Sequence, residues 1–233
     1  MTAPRTTLCF PANNTTMEPE MAALCPELAP FTVARIRLGR GGLTREGLPA
    51  YTDATLAAVA GVRPTPELLV HGCTAAGFLA GAAATAQLVA ILERQTGATV
   101  VSTAAAMVDV LHDEGVAETA VVTPYLADVN DGLRAYLAGA GIAVETLATF
   151  ACETVDALGM VSAEEVFDLA LRTVTPGSKA LFIACSQLPT LRILEPLRER
   201  LGIPVWSSIS ATARQASRAA AHLAARPVAA AQF

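Results

Sequence analysis

The feature that most constrains this chain is an alternation. Short aliphatic runs recur between longer segments that have helical apolar spacing, most of which stop at glycine. "TTLCFPA", "ELLVHGC", "ATVVST", "ETAVVTPY", "IAVETLATF", "KALFIAC" and "IPVWSSI" read as strands. Between and after them, "TAAGFLAGAAATAQLVAILERQTG", "AAAMVDVLHDEG", "LADVNDGLRAYLAGAG", "SAEEVFDLALRTV", "QLPTLRILEPLRERLG" and "SATARQASRAAAHLAA" read as helices. Ser162 and Glu165 have the spacing of a capping box. Strands that are aliphatic throughout, rather than alternating with polar residues, are buried on both faces. They therefore belong to parallel sheets covered by helices, an α/β fold.

The pattern also occurs twice. "LLVHGCTAAGF" (68–78) and "ALFIACSQLPT" (180–190) are each an aliphatic run that ends on a cysteine followed by a small hydroxyl residue. Each then continues through a helix, a glycine and a further strand, "ATVVST" or "IPVWSSI". Cys73 and Cys185 lie about half the chain apart. This predicts two similar α/β lobes, one from residues 1–113 plus 207–233 and the other from 114–206. Ligands of open α/β sheets bind at the carboxyl ends of the strands. Lobes that face each other would bring the two thiols to one cleft.

Composition excludes several functions. The net charge is −5 and no Lys/Arg run occurs, which argues against nucleic-acid binding. "FLAGAAATAQLVAIL" is too short and too interrupted to span a membrane and is expected to be a buried helix. The first residues, "MTAPRTTLCFPANN", lack a signal-peptide core, so a cytoplasmic protein is expected. Five cysteines, an odd number without close pairs, do not suggest a disulfide framework. Without a CxxC, and with only three scattered histidines, no metal site is expected.

A thiol can serve as nucleophile, base or acid once its pKa is drawn toward neutrality. At a junction of strand and helix, free backbone N–H groups favour an anion, either a thiolate or a substrate carboxylate. Thr74 and Ser186 could add hydroxyl donors. Two thiols on opposite sides of a small acid could remove a proton on one face and return one on the other. Alternatively, one could add to a double bond while the other supplies a proton. A free cysteine also packs as a small hydrophobe, and Cys9, Cys25 and Cys152 are read that way. Two further segments offer neutral donors. "PANNTTMEPEM" (11–21) presents Asn14 and Thr15, or is simply a loop with a helix cap. Tyr125 in "VVTPYLADVN" ends a strand at the edge where the cysteines lie. None of these segments contains Arg or Lys, so an acid would be held by neutral donors.

"NNTTMEPEM", "HGCTAAGF", "VVTPYLADVN" and "IACSQLPTL" together resemble the aspartate/glutamate racemase superfamily. The resemblance is greatest to its maleate cis–trans isomerase and arylmalonate decarboxylase branch. It implies two Rossmann-like lobes with parallel sheets, related by a pseudo-twofold axis, with the site between them and no metal or organic cofactor. It also implies Cys73 as nucleophile and Cys185 as acid/base, with Asn14 and Tyr125 holding carboxylates and Thr74 assisting. The arylmalonate decarboxylases have glycine in place of the first cysteine, so Cys73 speaks against a pure decarboxylase. The isomerases have a carboxylate-binding Asn where this chain has "ACETVDALGMV". Val155 falls at that position and makes the pocket more apolar.

The expected function is cofactor-independent, two-cysteine isomerisation of a small (di)carboxylic acid, as in maleate cis–trans isomerases. The alternative is racemisation of an amino or hydroxy acid. A decarboxylase or a small-acid binding protein ranks below both. The expected partner is the acid substrate, with no nucleic acid and no membrane, and the resemblance suggests a homo-oligomer.

Overall fold

The computed structural model describes residues 3–37 and 43–225. It contains two four-stranded parallel sheets. The first comprises β1 (Thr6–Pro11), β2 (Thr32–Ile36), β3 (Leu68–His71) and β4 (Thr99–Ser102), ordered β2-β1-β3-β4. The second comprises β5 (Glu118–Thr123), β6 (Ala143–Thr149), β7 (Leu181–Ile183) and β8 (Val205–Ser207), ordered β6-β5-β7-β8. All pairings are parallel. The central strands β3 and β7 are buried along their whole length, as their aliphatic composition requires.

The two orders are the same permutation. In each sheet the chain leaves the first strand toward one edge and crosses back to the other side, so a switch point opens between β1 and β3 and between β5 and β7. At such points the flanking loops diverge and leave a crevice at the carboxyl ends of the strands. Asn14 and Cys73 follow β1 and β3, and Tyr125 and Cys185 follow β5 and β7. Thus four of the sequence candidates sit at the two switch points.

The helices are α1 (Met17–Leu24), α2 (Leu48–Ala60), α3 (Thr74–Ala80), α4 (Ala82–Thr96), α5 (Thr103–Asp113), α6 (Ala127–Gly139), α7 (Val155–Gly159), α8 (Ala163–Thr173), α9 (Leu194–Leu201) and α10 (Ser208–Ala225). The lobes meet along α3 and α6. There a Cβ on Gly132 would lie 2.6 Å from the Phe78 carbonyl oxygen, so only glycine permits this approach. The last helix, α10, returns to pack on α1 and α5 of the first lobe.

Some expectations need correction. The segment read as one helix from Thr74 breaks at Gly81, where φ is 83°. Its second half, α4, was expected to be buried but buries only Thr85 and Leu92. Its alanines suit a helix propensity rather than a core. The stretch after Cys185 is a turn, and helix begins only at Leu194. Pro189 lacks an N–H and disfavours a helical residue before it. The elements without a sequence-based assignment include α1, β2, α2 and α7. The Ser162–Glu165 capping box is present in full. Among the described residues no helix is long and apolar enough to cross a membrane.

Candidate active site

A cavity of about 340 Å3 lies between the lobes. Cys73 and Cys185 both line it, together with Asn14, Thr74, Tyr125, Ser186 and Val155. Thr15 is the exception among the candidate residues. Its side chain is exposed and outside the cavity lining. The neighbouring Asn14 turns inward because its Oδ1 accepts the N–H groups of Thr16 and Met17, capping the start of α1. A larger groove, about 660 Å3, runs between α4, β4, α5 and α10, but no cysteine or other candidate residue lines it.

Cys73 caps the N-terminus of α3 in extended conformation. Burial pushes its thiol above the usual value, opposed by the Tyr51 hydroxyl and by the N–H groups of Ala76 and Ala75. Cys185 is pushed up to about 11 by burial, opposed by the Tyr125 hydroxyl and the N–H groups of Gln187 and Leu188. The Gln187 N–H donates to the Cys185 sulfur at 3.4 Å. The sequence reading looks for thiols drawn toward neutrality, whereas both are raised here. The cause is desolvation without a cation, since no Lys or Arg is among the described residues lining the cavity. At about 11, the Cys185 thiol keeps its proton throughout the neutral range.

Each thiol is thus matched with one phenol. Tyr125 is buried behind β5, and Tyr51 comes from α2, a residue the sequence reading does not single out. Fold symmetry does not relate the two phenols. The place after β1 that corresponds to Tyr125 holds Asn14, and the segment after β6 that corresponds to α2 begins with Val155. The Tyr51 hydroxyl lies 3.1 Å from Nε2 of His71, which is only 3% exposed. Burial pushes His71 down to about 4, so the ring is neutral.

The polar groups around the thiols join the lobes. Asn14 Nδ2 donates to the Ser186 carbonyl and hydroxyl, at 3.0 and 3.1 Å, and the Ser186 hydroxyl donates to the Gly72 carbonyl at 3.0 Å. The Thr74 hydroxyl donates to Ser208 Oγ at 3.2 Å. Both amide protons of Asn14 are therefore committed to the turn that carries Cys185. Glu20 of α1 binds the same turn further on, accepting from the Thr190 and Leu191 N–H groups and from the Thr190 hydroxyl.

Cys9 and Cys25 are fully buried in the core, as expected. Cys152, expected to be a packing residue, lines the cavity instead. The bend before it places Ala151 at φ 49°, a left-handed conformation that costs an alanine about 1 kcal/mol. Val155 and Leu158 of α7 and the side chains of Leu43 and Leu126 supply an apolar wall. Among the described residues no cluster of three or more His, Cys, Asp or Glu is placed to hold a metal ion.

A two-lobed α/β protein with one thiol from each lobe in a shared cavity defines a class of molecule. The chain belongs to the arylmalonate decarboxylase family, whose family model matches residues 7–233. It is 30% identical over 190 residues to the arylmalonate decarboxylase of Bordetella bronchiseptica, spanning 80% of this chain and 78% of the relative. It is also similar to the maleate isomerase of Nocardia farcinica, 28% identical over 215 residues, 88% of this chain and 86% of the relative. The structure of the N. farcinica maleate cis–trans isomerase bound to TRIS superposes with a TM-score of 0.84 at 26% identity, covering 92% and 91% of the two chains. A Cys-to-Ser variant of that isomerase, solved with a covalently bound succinylcysteine intermediate, gives 0.82 at 25% identity over the same shares. These relatives are enzymes.

Proposed function

We propose that the protein is a cofactor-independent two-cysteine isomerase of a small dicarboxylic acid, acting as maleate cis–trans isomerases do. The carrying observation is the pair of thiols, one from each lobe, lining one cavity and each beside its own phenol. The differing surroundings of the two thiols suit a division of labour. The Cys73 sulfur, as thiolate, adds to one olefinic carbon. The π pair moves to the other carbon, next to a carboxylate, and takes the proton of the Cys185 thiol. The former double bond is now single and rotates. The Cys185 thiolate removes a proton from the same carbon, the double bond re-forms, and the C–S bond returns its pair to Cys73. No oxidant or reductant is needed. The succinylcysteine of the N. farcinica variant is the adduct such an addition and protonation would leave.

A second reading has its own support. The family match and the 30% identical relative are decarboxylases, and Val155, Leu158, Leu43 and Leu126 would suit an apolar substituent. Loss of carbon dioxide from a substituted malonate would leave a carbanion that Cys185 could protonate. Proton NMR in deuterated water separates these readings, using maleate, both enantiomers of aspartate and glutamate, and phenylmalonate. Fumarate from maleate is the expected result. Phenylacetate from phenylmalonate would replace the isomerase with the decarboxylase. Deuterium entering an α-position without a new compound would replace it with racemisation.

A further inference from the structure

His71 is the one polar side chain of an otherwise aliphatic strand, Leu68–His71, and it is nearly inaccessible. An aliphatic residue would fill this position without desolvating an imidazole. The histidine meets the phenol that stands beside Cys73: Tyr51 Oη lies 3.1 Å from Nε2, with the two rings edge to face at 6.0 Å. Tyr51 lines the interlobe cavity, and both Tyr51 and His71 line a separate cavity of about 420 Å3 behind it. The second lobe lacks this arrangement. Ile183 stands two residues before Cys185, where His71 stands before Cys73.

We propose that His71 is a positioning residue for Cys73: as a neutral donor, its Nε2–H holds the Tyr51 oxygen so that the phenol proton is directed at the Cys73 sulfur. The Cys73 thiolate is then stabilised by a phenol that is itself held from behind. No proton is transferred in this arrangement. The imidazole donates to the phenol oxygen and the phenol donates to the thiolate. The inference rests on the reading of Cys73 as the nucleophile. The titratable groups around Cys73 are Cys9 from β1, Tyr51 from α2, His71 from its own strand, and Tyr125 and Cys185 from the second lobe. Asp128 and Glu153 are exposed at the cavity rim.

The test is the pH profile of iodoacetamide alkylation at each cysteine, read by peptide mass spectrometry, which requires no knowledge of the substrate. Tyr51→Phe should raise the apparent pKa of Cys73 and cut its alkylation at a fixed lower pH by about tenfold, the effect of a lost hydrogen bond to an anion. His71→Phe should reproduce most of that loss, and the double variant should show no more than Tyr51→Phe alone. His71→Gln, which keeps a donor, should restore the profile, and Cys185 should keep its own profile throughout. A wild-type Cys73 profile in His71→Phe, or losses that add in the double variant, would overturn the inference alone. If His71→Phe fails to fold, failure of His71→Gln to match wild type while Tyr51→Phe shifts would overturn it. Wild-type Cys73 that stays inert across the whole pH range would overturn the nucleophile assignment, and the inference with it.

Discussion

Glu20 offers a sharp test of how the lobes are held in register. It is buried on α1, and all three of its accepted hydrogen bonds come from the turn after Cys185: Thr190 N–H at 2.7 Å, Thr190 hydroxyl at 2.9 Å and Leu191 N–H at 3.0 Å. Glu20→Ala deprives these donors unequally. The Thr190 hydroxyl still has Ser207 Oγ at 2.9 Å, and Leu191 is exposed enough for water to serve its N–H. Thr190 is fully buried, so its N–H is orphaned. One orphaned buried donor costs about 1–3 kcal/mol, and a lost bond to a carboxylate adds a similar amount. The expected total is about 3 kcal/mol, a fall in Tm of roughly 6–12 °C for a chain of this size. Glu20→Gln keeps one acceptor oxygen and should cost about 1 kcal/mol. Thermal unfolding followed by circular dichroism reads both. A Glu20→Ala protein melting with wild type would refute the claim that this carboxylate clamps the turn, as would equal losses in the two variants.

Cys73→Ala and Cys185→Ala should each lower turnover of the identified substrate by about 100-fold or more, while Cys25→Ala, remote in the core, should leave it unchanged; steady-state assays decide. Gly132→Ala drives a Cβ against the Phe78 carbonyl and should destabilise by about 1–3 kcal/mol, read by urea unfolding. His71 should make stability fall on acidification. Its folded pKa is near 4, below the usual 6.5, so between these values the unfolded chain binds more protons. The stability present above pH 6.5 is lost as pH drops toward 4, by roughly 3 kcal/mol. Urea titrations at both ends of that window should show a smaller difference in His71→Phe than in wild type.

The fold was legible where burial is two-sided. β3, β5 and β7 are aliphatic because both faces are covered, and such strands announce themselves in the chain. β2 does not. It is a sheet edge, "TVARI", and it is half-exposed. Its Arg35 lies over the Phe10 ring at 4.3 Å while bonding the Asn14 carbonyl and Glu18. A strand that shields apolar neighbours with a guanidinium does not show an aliphatic run. α2 was missed for a related reason, because its alanines and threonines blur the contrast between its faces. The turn after Cys185 was misread because tertiary bonds to Glu20 and Asn14 override the helical look of "QLPTLRILEPL".

The site was legible only as far as it is local. Cys73, Cys185 and Tyr125 end strands, so topology carries them to one edge once the sheets are assigned. Tyr51 reaches Cys73 only because α2 packs across the first sheet, and no spacing in the sequence encodes that approach. His71 did leave a signal, a lone polar residue two before a cysteine in an aliphatic strand, but its meaning depends on Tyr51. The duplicated fold therefore does not duplicate its chemistry. The switch points place two thiols by symmetry, and the residues around them then break it: Tyr51 and His71 lie on the side of one, Tyr125 and Ile183 flank the other. A symmetric pair would have equal proton affinities and no preferred direction of attack. In the proposed isomerisation, unequal surroundings would let one thiol attack while the other holds a proton to give.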